Sequence, residues 1–275
     1  MRYMMAVMLM LGTATLATAR PQSLGLGRVG QAPRDLFLED PGIFVNNRPV
    51  QKAPGTPAGD TVSVNDLKLP DKALKELQRS DKALRAGDTR ESAKHLEKAL
   101  AIYPNLSYAH NQLGLRDAAL KEYDKALDEF SKALTLKPDY RLALDNSATV
   151  LSLQHRYDEA ELTARHALQI EPDASLSQYI LGSSLVQQGK YSEEATELLE
   201  KVKPKYPRAS LFLAAAAAHR QENTSAEEEL WEYLQSPEST YRQVAQTWLV
   251  ILEKRQESTA WAKEPEPTTT QQDSH

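Results

Sequence analysis

The chain contains no cysteine among its 275 residues. It therefore has no disulfide framework, no thiolate metal site, no cysteine nucleophile and no cysteine that a lipid could modify. An excess of one charge sign is also lacking, since 33 lysine and arginine residues stand against 38 aspartate and glutamate residues. Because both signs alternate along most of the chain, the sequence argues against a nucleic-acid-binding function.

Long apolar runs are missing except at the start of the chain, where residues 4–17 carry no charge and follow Arg2. Ala17 and Ala19 then supply the small-x-small pattern of a signal-peptidase site. Because the run is shorter than the roughly 20 residues that span a bilayer, a cleaved signal peptide over residues 1–19 is favoured over an uncleaved anchor. We expect an exported protein, periplasmic or extracellular, without membrane insertion after cleavage.

The flanks of the chain lack a helical period. Residues 20–70 are rich in proline and glycine, which is typical of an extended arm or a linker. Gly25, Gly27 and Gly30 match the spacing of a dinucleotide-binding loop, but Pro33 follows where a helix should begin, so we interpret this match as chance. At the other end, residues 258–275 are predicted to be a disordered tail.

A helical repeat occupies the region between these flanks. Pro104, Pro138 and Pro172 are 34 residues apart, and Pro207 follows after 35. Before each of the first three prolines, apolar residues recur at intervals of three and four, which places them on one face of a helix that the proline ends. The period predicts a stack of paired helices over residues 71–257.

This pattern resembles the tetratricopeptide repeat (TPR) family. The unit that starts at Ser107 carries the signature residues Leu113, Gly114, Ala126, Phe130, Ala133 and Pro138. Units that start at Arg141 and Ser175 keep part of the signature, and an extra residue before Ala195 indicates a longer loop. The first unit is weaker, because Ser80 and Ser92 stand where the family has glycine or alanine.

The resemblance implies an all-α fold, a right-handed superhelical array of four to five helix-turn-helix hairpins followed by a C-terminal capping helix. With the signal peptide, it suggests an exported TPR protein of bacterial type. Small residues such as Gly114 and Gly182 would let the two helices of a hairpin approach closely, whereas larger ones would overpack the contact.

The resemblance also implies a binding surface, because the second, fifth and ninth places of each first helix line the concave groove in this family. The candidate partner-binding residues are Tyr108, Asn111, Leu115, Leu142, Asp145, Thr149, Leu176, Tyr179 and Ser183. We expect Tyr108 and Tyr179 to be exposed and to contribute most, since tyrosine is enriched at binding hot spots. The alternative is that these residues form only the solvent-facing side of structural helices.

Residues that could carry catalysis do not form a recognisable motif. The six histidines are spread along the chain without a pair at i, i+4 on one helix, so no metal site is predicted. Glu193 and Glu194 stand at a predicted helix start, where acidic side chains are favoured by the helix dipole. We expect no enzyme activity, no cofactor and no metal.

The leading hypothesis is an exported TPR scaffold that binds a protein or peptide in its concave groove. The alternatives are a structural, self-assembling envelope protein and an accessory subunit of an envelope complex. The sequence leaves open which partner is bound and how many copies assemble.

Export gives the first testable prediction. Native protein isolated from the source cell should begin at Arg20, because the apolar run and the Ala17-Thr18-Ala19 site direct cleavage after Ala19. Intact-mass spectrometry measures the N-terminus directly. A mature form that retains residues 1–19 would contradict the prediction.

Overall fold

The computed structural model describes residues 69–238 and 240–261. This part of the chain forms eleven helices and no strand, which confirms the predicted all-α superhelical array. The helices are α1 (Asp71–Arg85), α2 (Thr89–Ile102), α3 (Ser107–Ala119), α4 (Tyr123–Leu136), α5 (Arg141–Leu153), α6 (Tyr157–Ile170), α7 (Ser175–Gln187), α8 (Glu193–Val202), α9 (Ala209–His219), α10 (Asn223–Gln235) and α11 (Arg242–Trp261). Five hairpins run from α1–α2 to α9–α10, and α11 packs against α10 as the capping helix.

The described helices run from Asp71 to Trp261. The predicted signal peptide, the arm up to residue 68 and the tail after residue 261 lie outside the described residues. α1 begins at Asp71, the first residue of the predicted array. α11 continues to Trp261, past the expected end at residue 257. Residues 258–260 include no glycine or proline, so their sequence gives the helix no reason to stop.

A repeated turn joins the two helices of each hairpin. Two residues after each first helix, the chain adopts a positive φ of between 59° and 80°, at Gly87, Lys121, His155, Gly189 and Gln221. In the second hairpin, the backbone N–H of Glu122 then donates to the carbonyl of Asp117 at 2.8 Å. This is the bond of a Schellman motif, which satisfies the free carbonyls at a helix end. The same turn gives each hairpin a similar geometry.

The fourth hairpin has the longer loop that the sequence indicated. Residues 188–192 separate α7 from α8, whereas residues 120–122 separate α3 from α4. Ser192 ends this loop, and its hydroxyl accepts a hydrogen bond from the N–H of Ala195 at 3.2 Å. The inserted residue therefore lengthens the loop, and a side-chain cap restarts the second helix.

The contact between the two helices of a hairpin leaves no room for a side chain at its glycine. A Cβ placed on Gly114 would lie 2.6 Å from the ring of Phe130 and 2.9 Å from the carbonyl of Ala126. A Cβ on Gly182 would lie 2.8 Å from Leu199. These distances support the predicted role of the small residues.

The first helices are the inner helices of the array. On α9, every residue from Ala209 to Ala217 is buried, whereas α6 buries only Ala160, Ala164 and Ala167. A helix that is apolar around its whole circumference is a buried helix. α7, which buries ten residues, packs against α5, α6, α8 and α9. The second helices therefore carry much of the outer surface.

The hairpin contact yields a stability prediction. Gly114→Leu should lower the free energy of unfolding by about 1–3 kcal/mol, because the added side chain must displace Phe130 or move α4 away. Ala119→Leu is the matched control, since Ala119 ends the same helix and is exposed. The control should change stability by no more than about 0.5 kcal/mol. Urea denaturation followed by circular dichroism compares the two, and equal midpoints would refute the close-contact explanation.

Candidate functional site

The nine residues predicted to line a concave groove lie on α3, α5 and α7, and they fall into two groups. Three of them, at the second place of each first helix, are half-buried: Tyr108, Leu142 and Leu176. The other six are almost completely buried: Asn111, Leu115, Asp145, Thr149, Tyr179 and Ser183. The expectation that these six face an open groove is wrong. Neighbouring first helices pack against one another, and the fifth and ninth places lie within the packed structure.

The six buried positions on α3, α5 and α7 are called the inner row below. Polar side chains join the neighbouring first helices along this row. The amide of Asn146 on α5 donates to the Asn111 carbonyl oxygen on α3 at 2.9 Å. The Ser177 hydroxyl on α7 donates to the Asp145 carboxylate on α5. The inner row therefore contains hydrogen bonds from α3 to α5 and from α5 to α7, which satisfy polar groups that burial would otherwise leave without partners.

Asp145 is a buried acid of the inner row that contacts both a hydroxyl group and a guanidinium group. Burial raises the pKa of Asp145 above its ordinary value, while the hydrogen bonds from Ser177 and Arg141 oppose that shift. The Arg141 guanidinium pairs with Asp145 and also with Glu171, at 2.6 Å from the Glu171 carboxylate. These contacts account for a carboxylate that is buried inside the array.

Tyr179 belongs to the core, not to an exposed hot spot. Its side chain is 1% exposed. The ring stacks on Tyr206 at a centroid distance of 5.0 Å and meets Phe212 edge-on at 6.1 Å. The expectation of an exposed Tyr179 was wrong because Tyr206 and Phe212, from the following hairpin junction and α9, cover the ring.

Tyr108 lies next to a buried arginine that the sequence reasoning missed. Arg116 is almost completely buried, and its Nε donates to the Ser92 hydroxyl at 3.1 Å. Ser92 also shares a hydrogen bond of 2.9 Å with Ser80. Burial, with the nearby Asp81 charge, raises the pKa of Tyr108 to about 12.

Of the two serines that weaken the TPR signature, Ser92 thus accepts a hydrogen bond from Arg116, and Ser80 bonds to Ser92. The sequence did carry a signal for this interaction, because serine stands at both places of the first hairpin where the family has a small residue. The residue that bonds to Ser92 is Arg116, which belongs to the next repeat. The first unit alone therefore does not reveal the interaction.

Groups suited to metal chemistry do not gather in the described residues. No set of three or more histidine, aspartate and glutamate side chains there could hold a metal ion. His95 contacts Glu76 and His110 contacts Glu129, each at 2.6 Å, so both rings are engaged within a hairpin. Among the described helices, none is long and apolar enough to cross a membrane.

Comparisons with known proteins support the repeat architecture. Family models described as tetratricopeptide repeat match residues 107–140 and 148–209. Sperm-associated antigen 1 of Rattus norvegicus is 31% identical over 144 residues, which cover 52% of this chain and 16% of that protein. The chain thus spans about a sixth of the length of this relative.

Two solved structures share the fold. A solved MamA chain of Desulfovibrio magneticus RS-1, from residue 41 to its end, superposes with a TM-score of 0.56 at 22% identity, covering 61% of this chain and 96% of that chain. YrrB, described as a TPR protein with an unusual peptide-binding site, superposes with a TM-score of 0.54 at 17% identity, covering 66% of this chain and 92% of YrrB. The family models thus identify tetratricopeptide repeats within residues 107–209, and the 34-residue period, the paired helices and the shared fold agree with them.

Proposed function

We propose that this TPR protein is an exported scaffold that binds a protein or peptide partner along its row of first helices. The observation that carries the proposal is the ladder formed by Tyr108, Leu142 and Leu176. These residues are 34 residues apart, occupy the same place on α3, α5 and α7, and are half-buried rather than buried. Large side chains that remain partly accessible at regular intervals suit a partner that crosses several repeats.

The inner row behind this ladder supports binding by fixing its spacing. Packed helices lie roughly 8–10 Å apart, so the three ladder residues span a distance that a short peptide or one helix of a partner can cover. The hydrogen bonds Asn146–Asn111 and Ser177–Asp145 hold α3, α5 and α7 in register. A surface that is ordered before binding loses little conformational freedom when the partner arrives.

The similarity to YrrB supports a peptide as the partner. That similarity is limited to the fold. The uncharged apolar start of the chain supports export, so the partner would be an envelope or extracellular protein. Self-assembly and service as an accessory subunit are the alternatives. Light scattering of the purified protein separates self-assembly from binding by a monomer.

A ladder variant tests the proposal. The triple change Tyr108→Ala, Leu142→Ala and Leu176→Ala should weaken partner binding at least tenfold, since truncation of one central contact residue typically costs about 1–2 kcal/mol or more. Partners are first captured from the envelope fraction of the source cell by the wild-type protein, and the affinity of each is then measured by calorimetry.

Two further variants make the result specific. Leu162→Ala is the matched control, because Leu162 on α6 is the most exposed of the large apolar residues at 68%, and it should leave affinity within about 0.5 kcal/mol. Tyr179→Ala should instead lower the free energy of unfolding by roughly 3–5 kcal/mol, because it empties a core position. If the ladder variant stays folded and binds the partner as the wild type does, the first-helix row is not the binding surface.

A further inference from the structure

A cleft that is separate from the first-helix row lies between the second helices α2 and α4. It has a volume of about 410 Å³, and its floor is formed by the last turns of α3, including Asp117. Asp117 is a buried residue, with 8% of its surface exposed. Within the described residues, no hydrogen bond or ion pair reaches its carboxylate.

The repeat shows that this acid is an exception. Leu151 and Leu185 stand 34 and 68 residues after Asp117, at the same place of α5 and α7, and both are buried. The equivalent cleft one repeat later, between α4 and α6, has Leu151 at its floor and a volume of about 610 Å³. Glu159 is the one acid among its described lining residues. The second repeat therefore has a carboxylate where the next two repeats have a buried leucine.

Several features make a charged Asp117 unfavourable for stability. Burial, and then the charges of Glu129 and Glu122, raise the pKa of Asp117 to about 6, while Lys125 opposes the shift. Asp117 also lies in the last turn of α3, where the helix dipole disfavours a negative charge. A group held in a form that the fold disfavours indicates a role other than stability.

The charged side chains that line the cleft, with Asp117, include more acids than bases. The groups that line it with Asp117 are Arg90, Lys94 and Glu97 from α2, Glu122 from the turn, and Lys125, Asp128, Glu129 and Lys132 from α4. Lys125 pairs with Glu122 and Lys132 with Glu129, each at 2.6 Å, and Lys94 pairs with Glu91 at 3.2 Å. These lysines therefore pair with neighbouring acids, and Lys125 offsets only part of the charge around Asp117.

We propose that this cleft binds an arginine side chain of a partner protein or peptide, with Asp117 as the carboxylate that receives the guanidinium. An arginine is planar and carries five N–H donors, so it can pair with Asp117 and with a second acid of the cleft at once. Its long apolar stem would lie against Leu113 and Leu120, which also line the cleft. The site is a second contact, on the other side of the hairpins from the first-helix ladder.

The test uses a defined probe and a matched variant. The peptide acetyl-Gly-Arg-Gly-amide is titrated into the full mature chain and followed by amide chemical shifts, with acetyl-Gly-Gln-Gly-amide as the neutral probe. The arginine peptide should give saturable shifts at α2, α4 and the end of α3 at pH 7.5. Its affinity should fall about tenfold at pH 5, because protonation of Asp117 through a pKa of about 6 removes the receiving charge.

Asp117→Leu copies the residue of the next two repeats and should fold at least as well as the wild type. It should lose the binding of the arginine peptide and raise the melting temperature by about 2–6 °C at pH 7.5. That gain should shrink as pH falls from 7.5 to 4.5. The raised pKa of Asp117 destabilises the wild type above about pH 6, and protonation relieves this effect at lower pH.

Three results would overturn the proposal. They are equal binding of the arginine peptide to Asp117→Leu, equal binding of the glutamine peptide to the wild type, and an absence of saturable shifts in the cleft of the wild type. Binding that maps instead to the Leu151 cleft would also overturn it, because that cleft has no carboxylate at its floor.

Discussion

The array depends on a close contact between the first and second helices of a hairpin, which the second and fourth hairpins make at a glycine. At Gly114, the ring of Phe130 and the carbonyl of Ala126 occupy the space that a Cβ would need, and Leu199 does the same at Gly182. This contact fixes the distance between the two helices, and the positive-φ turn that follows fixes their direction. Each hairpin then presents its apolar face at the same place, so that stacking buries surface that no single hairpin buries alone.

Stacking places the first helices inside the array, and this determines what their polar residues do. Asn111 and Asp145 are buried where a family-based reading expects an open groove, and they accept hydrogen bonds from Asn146 and Ser177 on the next first helix. A slip of one helix against the next would separate these groups and leave buried polar atoms without partners, which is costly. The same bonds that stabilise the row therefore also fix the spacing of the side chains at its accessible edge.

The sequence predicted the features that each repeat encodes by itself. The period, the paired helices, the longer loop before Ala195 and the space-saving glycines follow from local spacing and residue size. Exposure at the fifth and ninth places was not predictable in this way, because it depends on how neighbouring hairpins stack. Tyr179 is covered by Tyr206 and Phe212, and Arg116 donates to Ser92 of the previous hairpin. These relations join residues in different repeats.

In the proposed binding mode the inner row is closed, and only the ladder residues at its edge are available to a partner. The absence of cysteine allows a direct measurement, because Leu176→Cys and Ser183→Cys each give a single thiol on the same helix. Labelling with a maleimide should be fast for Leu176→Cys and slowed by the bound partner. It should be at least a hundredfold slower for Ser183→Cys, on the order of a local-opening free energy of 3 kcal/mol. Equal labelling rates at the two positions would show that the inner row is open to solvent, which would contradict the proposed binding mode.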